Sequence, residues 1–513
     1  MCHHSSCNRF LVVANVASSF AELEMICSVM CYIFNFKTKG DSFAFQHIPD
    51  FVHVLNMENV RMKHVDRWTL EQLPPYVDKL KIAGSIKLKR ISVPNALRNL
   101  QIMHSNLRRI DIAPNSSLNH LSCLGCDVTK VPLDIRNAPL LNMLKLYECK
   151  LSEIDLAVFC DNSHLTYLFL YFNTIRYIVN TSKRNCSFYN ALSEIILSKN
   201  MLTTVNMELF NVFVNLKQVD LQMNRITTLS GRLVLRSFEI LPLFTNQLGH
   251  IDLCGWDVPS LKKMLFTVNF LTTVPKCINN WTSTSHLDLS YNEFTNFSIE
   301  SVAGMDNLES IDLECNKLTT IMMNSVYFPP KLSSLRISRN YLTSLDLSFI
   351  PVRSLQVSVE YNLISSFDMN NSSPNLTRMH MKGNPIDCYW ETRLEQLCSG
   401  PPVGRIHLPN WAETCEEIRA AERLKTITDW QEQWHIDAAN AAQAMEDYAD
   451  EVADLEAPRV EVRRARNERR NANRRAARAR LSEERRRDRP PTPPALLTTA
   501  ASCGYAGEEA EGN

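Results

Sequence analysis

Apolar residues recur along this chain in one fixed pattern, L-x-x-L-x-L-x-x-N-x-L-x-x-L. From Leu308 the slots are filled by Ile311, Leu313, Asn316, Leu318 and Ile321. From Leu332 they are filled by Leu335, Ile337, Asn340, Leu342 and Leu345, and from Leu192 by Ile195, Leu197, Asn200, Leu202 and Val205. Successive anchors are Leu97, Leu118, Leu141, Leu165, Leu192, Leu216, Phe238, Leu261, Thr284, Leu308, Leu332, Ser354 and Leu376. Their spacing runs from 21 to 27 residues. A weaker copy starts at Val52 and continues through Leu55, Met57, Val60, Met62 and Val65, and one near Val77 is degenerate.

This period and pattern are those of leucine-rich repeats. Each repeat supplies one short strand whose alternate side chains point inward. No repeat can bury its apolar edge alone, so neighbours must stack and share a core. The slot asparagine satisfies backbone groups where the chain leaves the strand. Asn173, Asn200, Asn224, Asn246, Asn269, Asn292, Asn316, Asn340, Asn362 and Asn384 hold that slot, and Ser105, Cys126 and Cys149 replace it upstream. The expected fold is α/β: a leucine-rich-repeat solenoid with a curved parallel sheet, followed by a helical, coiled-coil segment. The boundaries read as a signal peptide or disordered start over 1–24 and an irregular N-terminal cap over 25–96. The repeats follow over 97–386, then a cysteine cap over 387–416. Coiled-coil and arginine-rich helices cover 417–489, and a disordered tail covers 490–513.

Positions between the core residues project from the concave face and are free to serve recognition. Tyr147, Tyr167, Phe169, Tyr171 and Phe172 fall there, and aromatic side chains dominate binding hot spots. Asp220, Asp288, Asp312 and Glu314 form an acidic stripe, followed by basic Arg336, Arg339, Arg378 and Lys382. The alternative is that the aromatics only pack laterally and the charges only keep the surface soluble.

The last repeat runs into Asn384-Pro-Ile-Asp-Cys388-Tyr-Trp390, with Cys398 and Cys415 beyond. These cysteines read as a disulfide cap over the last core edge. Three cannot all pair with one another, so Cys398 or Cys415 is left for an intermolecular bond or as a free thiol. Farther on, Leu424, Ile427, Trp434, Ala438, Ala441, Met445, Tyr448, Val452 and Leu455 form a heptad seam, interrupted at Gln431. The seam either pairs with another chain or packs on the solenoid's own end. Past Pro458, fourteen arginines face five acids over 459–489. No aromatics are interleaved to stack on bases, so a solvated or partner-paired helix is expected there, and nucleic acid is not.

Composition changes this picture little. The 513 residues are 45% apolar and 21% charged, with zero formal net charge. No global field steers the chain to nucleic acid or membrane, and no apolar run is long enough to span a bilayer. Sixteen cysteines are scattered, several at core slots, so no dense disulfide framework is implied. Cys123 and Cys126 spell a redox-like motif but occupy a leucine slot and the asparagine slot, which points to burial. Cys2, His3, His4 and Cys7 lack a second ligand pair and are read as part of a cleaved or disordered start. Arg9 before the apolar run 10–17 is a short signal-peptide pattern, while 25–34 is either a second such run or the first buried strand. Eight N-x-[ST] sequons start at Asn115, Asn180, Asn185, Asn280, Asn296, Asn370, Asn371 and Asn375, all inside the repeats. They favour a secreted glycoprotein.

The order of solenoid, cysteine-bearing cap and alanine- and arginine-rich coiled coil resembles the mosquito leucine-rich-repeat immune proteins, including the Anopheles Plasmodium-responsive group. The start Cys31-Tyr-Ile-Phe-Asn-Phe also looks like the opening of their mature chains, and the resemblance covers roughly residues 31–485. It implies a secreted, disulfide-linked dimer with a second leucine-rich-repeat chain. It also implies a complement-like thioester protein as partner. The competing class is an intracellular scaffold whose basic tail binds protein or RNA. No nucleophile or acid–base constellation and no cofactor motif stands out, so neither an enzyme nor a cofactor is expected.

Overall fold

The computed structural model describes residues 23–386, apart from 369, together with Cys415. The chain winds into a solenoid whose largest sheet has seventeen strands, from Glu24–Cys27 to Leu376–His380. Only the first pair is antiparallel: Glu24–Cys27 and Cys31–Phe34 form a hairpin closed by a Cys27–Cys31 disulfide. From Cys31–Phe34 onward each strand runs parallel to the next. Residues 25–34, open between a leader and a strand on sequence grounds, form most of this hairpin, with its turn at 28–30. The weak copies at Val52 and Val77 are full members of the ladder, as Val54–Glu58 and Lys79–Ala83.

Register follows the repeat. Leu144, Leu168, Ile195 and Val219 lie side by side across four strands, and all are buried. Short parallel pairs and 3-10 turns line the back, such as Glu153–Asp155 with Tyr177–Val179 and the turn Met207–Phe210. Inward phenylalanines fill the space between front and back. Phe188 lies 5.5 Å from Phe159 and 5.2 Å from Phe213, ring centre to ring centre.

The slot asparagines bind neighbouring turns together. The amide of Asn200 donates to the carbonyls of Leu170, Leu197 and Ser198, and its oxygen accepts from the Ile175 N–H. The same arrangement repeats through Asn384. Just before the slot the backbone must turn sharply, and it does so in the left-handed region. Phe172, Lys199, Met223, Thr245, Val268, Tyr291, Cys315, Arg339 and Tyr361 all have φ between 53° and 55°. Such a conformation costs about 1–3 kcal/mol in a non-glycine residue. The buried amide bonds that follow it hold it in place.

Disulfides correct the sequence expectation. Cys160–Cys186 and Cys254–Cys277 span 26 and 23 residues, one repeat each, and staple adjacent turns on the back. One period of separation brings side chains into register on neighbouring turns. Cys123, Cys126 and Cys149 are buried and unpaired. The Cys126 thiol is held protonated by its hydrogen bond with Cys123 and by burial. Cys415 is bonded within the chain, to Cys315 of the ladder, 100 residues back. It is therefore not left over for another chain. Cys388, Cys398 and the seam through Trp434, Ala441, Met445, Tyr448, Val452 and Leu455 lie outside the described residues. Replacing Cys254 and Cys277 together by serine is expected to lower stability by about 3 kcal/mol, since the bond closes a loop of one repeat. A chemical-denaturation midpoint measured with and without the pair checks this.

Candidate functional site

The concave face is built by the outward positions of the strands and the two residues after them. On adjacent strands Lys145 aligns with Phe169 and Met143 with Tyr167. The next strand brings Glu194 beside Tyr167 and Ile196 beside Phe169. The rings form two neighbouring groups on this face. Tyr147 stacks on Tyr171 at 4.9 Å, Tyr171 meets Phe172 edge-on at 5.8 Å, and Tyr167 stacks on Phe169 at 6.1 Å. Two lysines cap them: the Lys145 ammonium lies 5.1 Å from the Phe169 ring centre and that of Lys199 lies 4.1 Å from that of Phe172. All five aromatics are half-buried. They do pack laterally, and they still present ring surface outward.

Sequence reasoning missed the collar of this patch. Met103, Leu124, Met143 and Ile196 are half-buried apolar residues on the same face. Their signal was present, because each occupies the same variable column of the repeat as the named aromatics. Burial pushes the Tyr171 phenol up, and the Glu148 charge adds to it, so the ring carries its neutral O–H at physiological pH.

Farther along, the charges are arranged as pairs across the ladder. Asp288 aligns with Asp312 and Asp312 with Arg336. Arg336 lies 3.4 Å from Asp312, and Arg339 lies 2.7 Å from Glu314 and over the Tyr361 ring. The acidic stripe therefore ends where the basic one begins, and part of each neutralises the other. Arg378 and Lys382 are exposed. Cys315, with Cys415 bonded to it, packs against Tyr291, Tyr341 and Tyr361. The tie thus sits beside the charged end of the face.

Asp220 is buried between Ile196 and the strand of Pro242, and accepts from the Gln222 backbone and side chain. Desolvation raises its carboxyl from 3.8 to about 6. Below 3.8 the folded and unfolded states are both protonated, and Asp220 imposes no penalty. As pH rises through about 6 the fold must carry a buried carboxylate, and stability is lost by about 2–3 kcal/mol. Asp220→Asn is expected to stabilise the protein by about 1–2 kcal/mol at pH 7, and the gain should vanish at pH 4. Denaturation curves at the two pH values check the sign. Asp312 is raised to about 6 by burial with its acidic neighbours and opposed by Arg336.

Among the described residues no helix is long and apolar enough to cross a membrane, and no cluster of histidine, cysteine or acid has the geometry to hold a metal ion.

This repeat ladder and its asparagine bonds define a leucine-rich-repeat solenoid. The leucine-rich-repeat family model matches residues 282–342, while no curated protein matches the sequence. Among solved structures, a Leptospira interrogans leucine-rich-repeat protein is 19% identical, with a TM-score of 0.50, covering 72% of this chain and 99% of its own. The Drosophila Toll–Spatzle complex is 17% identical at 0.50, covering 75% of this chain and 55% of that one. The LRIM1/APL1C complex is 16% identical at 0.49, covering 89% and 88%. At these identities the likeness is one of fold.

Proposed function

We propose that this chain is an extracellular protein-binding solenoid of innate immunity, and that it recognises its partner through the aromatic and charged concave face. The observation that carries the binding reading is the set of five half-exposed rings. An apolar patch of that size on a water-facing sheet is stable but poorly solvated, and covering it releases water. Four disulfides suit an oxidising compartment. Toll meeting Spatzle is a case of this fold engaging a protein partner. The resemblance to mosquito immune repeat proteins gives the finer reading: a dimer with a second leucine-rich-repeat chain that engages a complement-like thioester protein.

The test is co-elution of the purified chain with a purified complement-like thioester protein. It is run beside non-reducing and reducing electrophoresis of the chain alone. A shared elution peak and a dimer lost on reduction are expected. Separate peaks with a monomer in both lanes would sink the finer reading.

A further inference from the structure

We infer that the solenoid carries N-linked glycans on its back and loop edges and none on its concave face. The attachment points are Asn115, Asn185, Asn280, Asn296 and one of the adjacent pair Asn370 and Asn371. This rests on the extracellular reading, since attachment takes place in the secretory route.

The sequons are not spread evenly through the repeat. Every one begins after the slot position, and all but the last end before the next strand of the front sheet; Asn375-Leu-Thr377 runs into the first two residues of Leu376–His380. Asn115 follows Ser105, Asn180 and Asn185 follow Asn173, Asn280 follows Asn269, Asn296 follows Asn292, and the last three follow Asn362. The face columns could have held sequons, because the residue two places on is free to be Ser or Thr at several of them. None does. The ladder asparagines themselves are excluded by the pattern, because the residue two places on is an inward apolar one, as in Asn292-Glu-Phe294.

The structure then sorts the eight. Asn115, Asn185, Asn280, Asn296, Asn370 and Asn371 are exposed. Asn280 ends the turn Ile278–Asn280, and Asn296 opens the back strand Asn296–Ser298. Two others are engaged. The Asn375 amide donates to the Ile350 carbonyl at 2.7 Å and is half-buried. The Asn180 side chain exchanges hydrogen bonds with the Tyr189 hydroxyl, at 3.0 and 3.2 Å. In the attachment step the amide Nδ2 displaces diphosphate from the anomeric carbon of a lipid-linked oligosaccharide. An N–C bond forms, the anomeric C–O bond breaks, the amide loses one proton, and the lipid diphosphate leaves with the electron pair. A sugar on Asn375 or Asn180 would crowd out its native partner. Chains modified there fold less stably and are depleted from exported material.

The consequence for recognition is steric. A glycan is large and mobile, and protein cannot dock where one projects. Five on the back and edges restrict a partner to the face that holds the rings.

The test is production of the full chain behind a supplied secretion leader in insect cells. Its sites are mapped with a glycosidase that converts each modified asparagine to aspartate. Conversion is expected at the exposed positions and absent at Asn180 and Asn375. Changing Asn115, Asn185, Asn280, Asn296, Asn370 and Asn371 to glutamine should abolish the gel shift, while changing Asn180 and Asn375 should leave it intact. An exported chain with no converted asparagine overturns the inference, and so does conversion at Asn180 and Asn375 equal to that at Asn296. The extracellular reading fails differently: the chain made with its own N-terminus would then stay in the cytosol whatever the supplied leader achieves.

Discussion

Replacing Asn292 by leucine is expected to cost about 4 kcal/mol of stability. Asn292 is fully buried. Its amide donates to the carbonyls of Phe266, Leu289 and Ser290, at 2.9, 3.1 and 3.0 Å, and its oxygen accepts the Leu271 N–H at 3.0 Å. Leucine has similar volume and offers none of these bonds. A buried N–H and carbonyls from two turns would lose a partner, each unmet group costing about 1–3 kcal/mol, less what the chain recovers by shifting. Tyr291, held in the left-handed region beside the slot, loses its restraint as well. Because each turn touches only its neighbours, the damage falls at the interface between two repeats and divides the ladder there. Serine and cysteine at this slot should cost less than leucine. The protein itself uses Ser105, Cys126 and Cys149 there, and those side chains still reach nearby carbonyls. Denaturation midpoints of the three variants, with hydrogen exchange at the Leu271 amide, give the ranking. Equal losses for serine and leucine would show that packing, not hydrogen bonding, holds the turn.

The slot asparagine was legible because one residue type fits its chemistry. It must donate more than once, accept once and occupy a small volume at a bend, so its identity repeats visibly. The left-handed residue before it left no such mark. Its side chain can be half-buried, as at Lys199, or buried, as at Val268, and many types are used. The constraint there is on the backbone, and neighbouring bonds enforce it. The disulfides Cys160–Cys186 and Cys254–Cys277 could have been read from their one-period spacing, given that back positions of adjacent repeats come into register. Cys315–Cys415 could not, because its partner lies outside the repeat, where no period carries information. The aromatic columns were legible for the same reason as the core: a parallel sheet in register converts repeat position into spatial adjacency. What the pattern withheld was side-chain geometry. That Lys145 and Lys199 lie over rings, and that Arg336 neutralises Asp312, depends on rotamers, not on period.

Truncating these rings should abolish recognition while sparing the fold. Phe169→Ala with Tyr171→Ala removes two half-buried rings at the centre of the patch, leaving the inward Leu168 and Leu170 untouched. Central aromatic hot spots are each worth about 2–4 kcal/mol of binding. The two positions are two residues apart on one face, Tyr171 stacked on Tyr147 and Phe169 on Tyr167, and neighbours this close need not add. A combined loss of about 4 kcal/mol is expected, roughly a thousandfold in affinity for the thioester protein proposed as partner. Stability should change by much less, because these side chains face water on one side and the core beneath them is unaltered. Arg336→Ala is the contrasting variant. Its guanidinium is exposed and paired with Asp312, so its removal should alter affinity by less than about 1 kcal/mol. Affinity measured by calorimetry on both variants, with a melting curve for each, separates the two parts of the face. If the double aromatic variant binds like the unmodified chain while Arg336→Ala does not, recognition lies in the charges and the rings serve only to pack against one another.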